Sequence, residues 1–504
     1  MQAFAPIPLG APIPDSPHAV SCSLPTMAAV RGYEEKDPAV TGSLVSGYPR
    51  FVVHPFSRRL AAALSERHGL GGRTLWLTSS RRMSQALLAH LRPPGAADPG
   101  AELFAGDGVF GVSHPPRPEL AQRAKLFLQN IGGFLSSREA EDRLAAIGAG
   151  PQPGAEELFQ GDPAARVREA LGPMFAGTAG RDLFLANCGM NAVHAAFRSV
   201  SDLQAKRGRT AWVQLGWLYL DTIAILRKFT PGGTDYIYAG DVMDMGALGR
   251  ILNERGPGIA GLVAEIPTNP LVQTPDVAAL AALCRRHGVT LVLDPSVASA
   301  FSVDCLPHAD LVVCSLTKYT GNDGDVIAGL VAVNPSGPDA DALRRGVASA
   351  IENPYPRDLA RLAAQIGNTG AVLSRIQETA PKVAAFLASH PAVRETFWAL
   401  GGASRANYLR VARAPGATGG MISFTLRGPL ERFYDRLRLP KGPSFGMRTT
   451  LICPFMYLAH YDMVSTAAGR AELKANGLDP DLLRLCVGIE PADEIIGALG
   501  EALS

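Results

Sequence analysis

Residues 290–294 read T-L-V-L-D, and residues 311–321 read L-V-V-C-S-L-T-K-Y-T-G. Each stretch begins with a short apolar run typical of a buried strand, and each ends in polar residues. Ligand sites of open α/β sheets lie outside the carboxyl ends of the strands. The two stretches therefore make Asp294 and Lys318 candidate site residues at one edge of a sheet.

Further apolar runs precede these two, at 183–186, 212–215 and 259–263, with amphipathic helices between them. One helix is well delimited, with Thr274 as its N-cap, Pro275 in its first turn and Gly288 at its end. Such alternation of strands and helices predicts an α/β domain with a mostly parallel sheet. After about residue 353 the pattern changes. Helical stretches at 358–390, strands at 421–426, 450–453 and 482–487 and a closing helix at 491–503 predict a smaller α+β domain.

The N-terminal region is less regular. Residues 1–40 are rich in proline and small polar residues, and we expect them to be extended or loosely ordered. A strand is predicted at 74–78 and a helix at 83–91, and P-G-A-A-D-P-G at 94–100 is typical of a linker or exposed turn. The predicted division is an N-terminal extension and arm (1–154), a large α/β domain (155–355) and a small α+β domain (356–504).

Composition narrows the function classes. Of the 504 residues, 47% are hydrophobic and 19% charged, and the net charge is +2 with basic residues scattered, so we expect no nucleic-acid or membrane partner. The seven cysteines form no C-x-x-C pair, which argues against a metal site or disulfide framework and for reduced thiols in a cytoplasm. The N-terminus does not resemble a secretory signal, and no apolar run is long enough to span a bilayer.

Lys318 follows a buried strand at the edge where ligand sites form. Partial desolvation there makes a lysine amine a usable nucleophile, and the hydroxyls of Ser315 and Thr317 could donate hydrogen bonds to a phosphate. The alternative is a surface lysine in a loop. Asp294 ends its own strand, where a carboxylate can pair with a protonated ring nitrogen. Its alternative role is a helix N-cap, because Pro295 and Ser296 follow.

Three further segments carry chemistry. In N-C-G-M-N-A (187–192), a helix beginning at Gly189 and Met190 could hold an anion on its free backbone N–H groups, although an ordinary strand-to-helix turn has the same pattern. Tyr219 could stack on a cofactor and move protons, or it could be a core tyrosine. Arg484 alternates with Leu483 and Leu485 in a strand, so its guanidinium could bind a substrate carboxylate or lie on a solvated face.

Taken together and in order, these segments resemble the Cys/Met-metabolism enzymes that depend on pyridoxal phosphate (PLP), the cystathionine γ-synthase and γ-lyase family. A-E-I-P-T-N-P-L (264–271) is similar to the family's E-T-P-x-N-P-L. S-L-T-K-Y-T-G-N-D-G-D-V (315–326) is similar to S-x-T-K-Y-x-x-G-H-x-D-V, and L-L-R-L-C-V-G-I-E (482–490) to L-x-R-L-S-V-G-I-E. Cys188-Gly189-Met190 matches S-G-M. P-H-A-V-S-C-S-L-P-T (17–26), G-Y-E-E (32–35) and S-G-Y-P-R-F (46–51) resemble the long, fungal-type cystathionine γ-synthases.

The resemblance implies the aspartate aminotransferase-like fold (fold type I), with a mostly parallel seven-stranded sheet and a smaller C-terminal α+β domain. It also implies a role for each matching residue. Lys318 would form the Schiff base with PLP, Asp294 would face the pyridine nitrogen, and Tyr219 would stack on the ring. The phosphate would be held by the amides of Gly189 and Met190, with Ser315 and Thr317, and Cys188 would be a further cofactor-binding residue. Asn269 would lie near the cofactor and the substrate carboxylate, which Arg484 and Thr450 would bind.

The sequence departs from the family pattern at three places. The family's D-N-T is D-P-S here, so Ser296 would replace the threonine, and its G-H-x-D is N-D-G-D. The family's Y-x-R, which reaches a neighbouring subunit's phosphate, has no match in 127–138. Arg138, Lys125 and Arg123 are all candidates to replace it.

The function that the resemblance implies is γ-replacement, which joins an O-acylhomoserine with cysteine to give cystathionine. The alternatives are a γ-lyase, γ-substitution with another nucleophile, and a catalytically silent PLP-fold binding protein. The resemblance also implies small amino-acid substrates and a homo-oligomer, a dimer or tetramer with shared active sites. Methionine biosynthesis in the cytoplasm is the expected setting.

Overall fold

The computed structural model describes residues 4–46, 52–95 and 97–504. The strands of these residues form four sheets, of two, three, seven and four strands. The segment S-G-Y-P-R-F lies outside the described residues except for its first serine. No helix among the described residues is both long enough and apolar enough to cross a membrane.

The first part of the chain holds two small antiparallel sheets, β1-β2 and β3-β5-β4. Its elements are β1 (Pro12–Ile13), β2 (Ser21–Cys22), α1 (Met27–Glu35), α2 (Pro38–Thr41), α3 (Pro55–Arg67), β3 (Thr74–Thr78), α4 (Arg81–Leu91), β4 (Glu102–Gly106), β5 (Val109–His114), α5 (Pro118–Ile131) and α6 (Ser137–Ala146).

Residues 12–44 are not loosely ordered, as their composition had led us to expect. Cys22, Leu24, Met27, Val30 and Tyr33 are buried in one hydrophobic cluster with residues of the C-terminal sheet. The sequence contains a signal for this order, because Thr26 is the N-cap of α1 and accepts a hydrogen bond from the Ala29 amide. Burial of the apolar side chains, together with the hydrogen bonds of β1-β2 and α1, fixes this proline-rich segment.

The central part of the chain forms the seven-stranded sheet. Its elements are α7 (Pro163–Leu171), β6 (Leu183–Ala186), α8 (Gly189–Ala205), β7 (Ala211–Leu215), α9 (Leu220–Phe229), β8 (Tyr236–Ala239), α10 (Met245–Arg255), β9 (Ile259–Glu265), α11 (Val277–His287), β10 (Thr290–Asp294), β11 (Leu311–Ser315), β12 (Gly329–Val333) and α12 (Ala340–Ala350). The strand order is β6-β12-β11-β10-β9-β7-β8, and β12 runs antiparallel to both of its neighbours. The predicted mostly parallel sheet is confirmed.

The central strands of this sheet are largely apolar because both faces of the sheet are covered. Every residue of β7 and β9 is buried, as expected for strands between two layers of helices. One boundary differs from its prediction. The N-cap of α11 is Asp276 rather than Thr274, because the Asp276 side chain accepts from the Ala279 amide. Asp276 directly precedes the helix and its carboxylate caps it, whereas Thr274 lies two residues before that position.

The last part of the chain forms the antiparallel sheet β13-β14-β16-β15 with helices around it, and the predicted smaller C-terminal α+β domain is confirmed. Its elements are α13 (Pro356–Ile366), α14 (Thr369–Ser389), β13 (Val393–Trp398), α15 (Arg405–Val411), β14 (Met421–Leu426), α16 (Leu430–Arg436), β15 (Leu451–Pro454), α17 (Phe455–Ala459), α18 (Tyr461–Val464), α19 (Ala467–Ala475), β16 (Leu483–Cys486) and α20 (Ala492–Leu503).

Candidate active site

A cavity of about 880 Å³, counting its open mouth, lies where the carboxyl ends of the parallel strands face the C-terminal sheet. The ends of β9, β10 and β11 contribute Glu265, Asp294 and Ser315 to its lining, and Arg484 of β16 lines the opposite side. Most of the residues singled out from the sequence line this cavity: Gly189, Met190, Tyr219, Asn269, Asp294, Ser296, Ser315, Lys318 and Arg484. The edge of the sheet thus gathers residues that are up to 295 positions apart in sequence, from Gly189 to Arg484.

Lys318 lies three residues beyond the end of β11 and is buried, with 8% of its surface exposed. Its Nζ donates a hydrogen bond to Ser444 Oγ at 2.7 Å and lies 4.9 Å from the centre of the Phe445 ring. The lysine is therefore not a surface lysine in a loop. Its amine is held inside the cavity, where it donates to a neutral hydroxyl.

Asp294 is the last residue of β10. It accepts a hydrogen bond from the Ser296 amide at 2.8 Å within a turn, and its carboxyl lines the cavity. No helix begins at this turn, so the N-cap alternative is wrong. Burial raises the pKa of Asp294 to about 6, although its hydrogen bonds from Ser296 oppose the shift. A carboxyl with this pKa gains from a cationic neighbour, because a positive charge would stabilise its ionised form.

An anion cradle lies at the start of α8. A Cβ on Gly189 would come within 2.9 Å of Ser315 Cβ, so only glycine lets the helix start approach β11 this closely. The Ser315 hydroxyl is buried there and has no hydrogen-bond partner among the described residues. Buried hydroxyls are normally satisfied. This one, beside the free N–H groups of a 17-residue helix, fits a bound phosphate.

Two other residues shape the cradle. Ser296 Oγ accepts from the Ser315 amide at 2.8 Å, so the serine of D-P-S holds the end of β11 in place. Cys188 is the N-cap of α8, and its Sγ accepts from the Asn191 amide at 3.4 Å. Cys188 lines a neighbouring cavity rather than the one that holds Lys318.

Arg484 supplies a positive charge at the far side of the cavity. Its guanidinium donates to Asn269 Oδ1 at 3.3 Å and to the Ser444 carbonyl at 3.0 Å. The rings of Phe445 and Phe455 lie 5.0 and 4.6 Å from it. Since both acceptors are neutral, the charge of Arg484 is available to a carboxylate that enters the cavity.

Glu265 connects the two sides of the site. The carboxylate accepts from the Tyr219 amide at 2.6 Å and from the Asn269 amide at 3.0 Å. It therefore fixes the backbone of Tyr219, which lines the cavity at the start of α9, and the backbone of Asn269 next to Arg484. Burial, with the nearby charge of Asp294, raises the pKa of Glu265 to about 8.

Besides Cys188, two of the predicted residues do not line the cavity. The Thr317 hydroxyl is bonded to the backbone of Ala328, to whose carbonyl it donates and from whose amide it accepts. The Thr450 hydroxyl donates to Glu490 Oε2 at 2.6 Å and accepts from the Gly488 amide at 2.8 Å. Both hydroxyls are thus used to hold loops beside the site.

None of the three candidates to replace the family's Y-x-R lines the cavity either. Arg138 is buried and bonded to Glu156 at 2.6 Å and to Asp358 at 3.1 Å. Arg123 donates to the His90 carbonyl at 2.8 Å. The pKa of Lys125 is lowered by burial, and the residue lies near Glu34 and Lys36.

Sequence reasoning gave no role to Ser444, Phe445, Phe455 or Glu265. Glu265 carries the same signal as Asp294, a carboxyl that ends an apolar strand. Ser444 and Phe445 lie in P-S-F-G, a loop far from the other motifs, where no local pattern distinguishes them.

Comparisons with known proteins show the family of this chain. The family described as Cys/Met metabolism PLP-dependent enzyme matches residues 167–504. The chain is 41% identical to an L-2-amino-4-chloropent-4-enoate dechlorinase/desaturase of Streptantibioticus cattleyicolor, over 97% of each chain. It is 28% identical to a cystathionine gamma-synthase of Neurospora crassa, over 99% of this chain and 98% of the relative.

Solved structures show the same fold. The cystathionine gamma synthase of Xanthomonas oryzae in complex with aminoacrylate and cysteine superposes with a TM-score of 0.58 at 24% identity, over 72% of this chain and 95% of that one. The cystathionine gamma-lyase of Lactobacillus plantarum gives 0.58 at 20% identity, over 71% and 94%. The chain therefore belongs to the Cys/Met metabolism family of PLP-dependent enzymes, and pyridoxal 5'-phosphate is its cofactor.

Proposed function

We propose that this enzyme removes a leaving group from C4, the γ carbon, of a compact L-amino acid. The first substrate to test is L-2-amino-4-chloropent-4-enoate, on which the 41% identical relative acts according to its name. The reaction would be loss of HCl, which leaves the carbon skeleton intact and adds one degree of unsaturation.

The observation that carries this proposal is the character of the cavity lining. Lys318 and Arg484 are the only cations among the described residues that line it. Arg484 suits the α-carboxylate that every amino-acid substrate has. The remaining wall is mostly apolar, and its apolar residues include Val193, Phe445, Phe455, Leu458 and Ala459. This surface favours a small apolar side chain over one that brings a second carboxylate.

The residues present fit the cofactor. The unsatisfied Ser315 hydroxyl and the start of α8 suit its phosphate, and the Asp294 carboxyl suits its pyridine nitrogen. We assign to Lys318 the covalent attachment of the cofactor. When bound, pyridoxal phosphate supplies an electron sink for the electrons of a broken C–H bond.

Each protein group then has a defined task. Arg484, supported by Asn269, orients the substrate through its α-carboxylate. The Lys318 amine takes the proton from Cα and exchanges protons at Cβ, and Tyr219 is a second group that could move a proton. The C4–Cl bond breaks with its electron pair on chloride, and one proton leaves to solvent. Apolar side chains around C4 limit water in the cavity.

Product analysis tests the proposal. Protein loaded with cofactor is incubated with L-2-amino-4-chloropent-4-enoate, without any thiol, and free chloride is measured by ion chromatography. Mass spectrometry should find an amino acid lighter than the substrate by one HCl. The Lys318→Ala variant is the matched control for chloride released by uncatalysed decomposition. If no chloride is released beyond that control, the proposal is wrong.

A second candidate is cystathionine formation from an O-acylhomoserine and cysteine. It is favoured by the full-length similarity to the Neurospora crassa cystathionine gamma-synthase. The same protein with O-succinyl- or O-acetylhomoserine distinguishes the two activities. Cystathionine formed only with cysteine indicates γ-replacement, whereas α-ketobutyrate formed without cysteine indicates γ-elimination.

Three further expectations remain proposals. The domain boundaries are proposed at residues 154 and 355. A homo-oligomer with active sites shared between subunits is proposed from the family resemblance, and size-exclusion chromatography with light scattering tests it. A cytoplasmic setting and a place in methionine biosynthesis depend on the second candidate function.

A further inference from the structure

The N-terminal segment contacts the loop that carries Ser444. Residues 20–25, which follow the turn of the β1-β2 hairpin, run beside residues 440–446. Pro443, Ser444 and Phe445 of that loop line the cavity. Since residues 20–25 lie outside the stretch that the family profile matches, they form a layer behind the active site that is added to the common fold.

Four contacts join the two segments. Ser21 Oγ donates to the Pro443 carbonyl at 2.5 Å, and the Leu24 amide donates to the Lys441 carbonyl at 2.9 Å. Lys441 Nζ donates to the Pro25 carbonyl at 2.7 Å. A Cβ on Gly442 would come within 2.2 Å of the Cys22 carbonyl, so the two backbones are in direct contact. Ser21 has none of its surface exposed, and water does not compete for its hydroxyl.

The loop needs such support because of its own conformation. Ser444 has φ +83°, in the left-handed region that residues other than glycine rarely adopt. A residue in such a conformation persists when its surroundings hold it there. The Ser444 hydroxyl accepts from Lys318 Nζ, and its carbonyl accepts from Arg484. This backbone position therefore sets the places of both cations in the cavity.

Another contact joins the N-terminal segment to the loop that follows Lys318. The Val20 amide donates to the Gly324 carbonyl at 2.9 Å, in the N-D-G-D loop that follows Lys318. Residues 20–25 thus contact the chain on both sides of the Lys318–Ser444 hydrogen bond. A segment that only covered the C-terminal sheet would not need to reach either loop.

We propose that Ser21 is a positioning residue, which holds the Pro443–Ser444 backbone and through it the amine of Lys318. The inference rests on the proposed role of Lys318. It predicts that loss of the Ser21 hydroxyl perturbs the cofactor environment without any change in a residue that lines the cavity. Its test needs no substrate, so it can fail while the proposed function holds.

The test compares Ser21→Ala with Ser23→Ala. Ser23 is equally buried and belongs to the same segment, but its hydroxyl donates to the Ile7 carbonyl at 2.9 Å, away from the loop. In protein loaded with cofactor, the midpoint pH of the visible absorbance titration is measured. Ser21→Ala should shift the midpoint by about half a pH unit, the equivalent of one lost hydrogen bond. Ser23→Ala should leave it unchanged.

Hydrogen exchange gives an independent readout. The amides of Gly442 and Gly446 are bonded to Ile452 O and Cys486 Sγ. In Ser21→Ala they should exchange about five- to tenfold faster than in Ser23→Ala. If Ser21→Ala does not fold, Ser21→Cys, which keeps the side-chain size, is measured by the same criteria.

A double-mutant cycle decides whether Ser21 acts through Ser444. In a Ser444→Ala background, Ser21→Ala should add no further shift to the absorbance midpoint. Additive shifts would overturn the proposal, as would equal effects of Ser21→Ala and Ser23→Ala on the midpoint and on exchange.

Discussion

Glu265 and Asp294 lie opposite each other in register, at the ends of the neighbouring parallel strands β9 and β10. Glu265 is buried and Asp294 is half-buried. The charge of Asp294 adds to the burial that raises the pKa of Glu265 to about 8. The pKa of Asp294 is raised only to about 6, since it accepts hydrogen bonds from Ser296. The two carboxyls therefore titrate as a coupled pair, in which the pKa of Glu265 lies above that of Asp294.

The first prediction concerns the pH dependence of cofactor binding. A cofactor ring with a protonated nitrogen favours the ionised form of Asp294, so affinity should be full above about pH 6 and should fall as Asp294 is protonated below it. The expected loss from this group is about tenfold for each pH unit. Fluorescence titration of cofactor-free protein with pyridoxal phosphate from pH 5 to 8 measures it.

The control for this prediction is Asp294→Asn. The phosphate of the cofactor also titrates, and its contribution is the same in both proteins. The variant should bind at least about tenfold more weakly at pH 8, with a flatter pH dependence. Parallel pH curves for the two proteins would show that Asp294 does not face the ring nitrogen.

The second prediction is that the cofactor is attached to Lys318. Borohydride reduction of the loaded protein, followed by peptide mapping, should place the label on Lys318 alone. Lys441 is the competing site to exclude, because it is also buried and its pKa is lowered to about 8. Lys318→Ala should lose the label, the visible absorbance and turnover. Lys228→Ala should keep all three, since Lys228 donates to Asn130, which does not line the cavity.

The sequence predicted the sheet well where the chain is buried on both faces. The bounds of β6 match the predicted range, as do those of β14 in the C-terminal sheet. β9 extends two residues beyond its predicted range, and β10 and β11 each extend one residue beyond their apolar runs, 290–293 and 311–314. The added residues include the polar ends Glu265, Asp294 and Ser315, which apolar patterning does not count as strand. These three residues line the cavity, so strand boundaries drawn from apolar patterning leave out residues of the site.

The contacts across the cavity could not be predicted in the same way. Lys318 and Ser444 are 126 residues apart, and only the folded chain brings them together. The order of residues 12–44 was missed for a related reason. Their prolines and small residues predict little regular structure. Leu24, Met27 and Tyr33 nevertheless pack against apolar residues of the C-terminal sheet, which are distant in sequence.

The third prediction concerns Arg484→Lys. A lysine keeps the charge but loses the planar fork that contacts Asn269 and Ser444, so substrate binding should weaken more than catalysis. We expect KM to rise by about 10- to 100-fold, with unchanged cofactor absorbance. Arg470→Lys is the matched control. Arg470 lies on α19, away from the cavity, and contacts both carboxylate oxygens of Asp481 at 3.0 and 3.1 Å. An unchanged KM in Arg484→Lys would exclude Arg484 as the carboxylate site.

The fourth prediction concerns the apolar wall around C4 of the substrate. Trp217 Nε1 donates to His460 Nε2 at 3.0 Å and thereby ties the chain before Tyr219 to the end of α17, whose Phe455, Leu458 and Ala459 line the cavity. Burial lowers the pKa of His460 to about 4, so its ring is neutral at pH 7 and Nε2 can accept. Trp217→Phe should raise KM about fivefold, the equivalent of one lost hydrogen bond, and leave cofactor absorbance unchanged.

Trp76→Phe is the control for this prediction. Trp76 makes the same kind of bond, from its indole N–H to His114 Nε2 at 3.0 Å, but in the N-terminal sheet. It should leave KM unchanged. The pKa of His460 also determines how KM of the wild-type protein should change with pH. The bond is intact above about pH 4 and is lost as His460 is protonated below it, so KM should rise towards pH 4 in the wild type and less in Trp217→Phe. Equal KM values for the two variants would show that the Trp217–His460 bond does not shape the substrate wall.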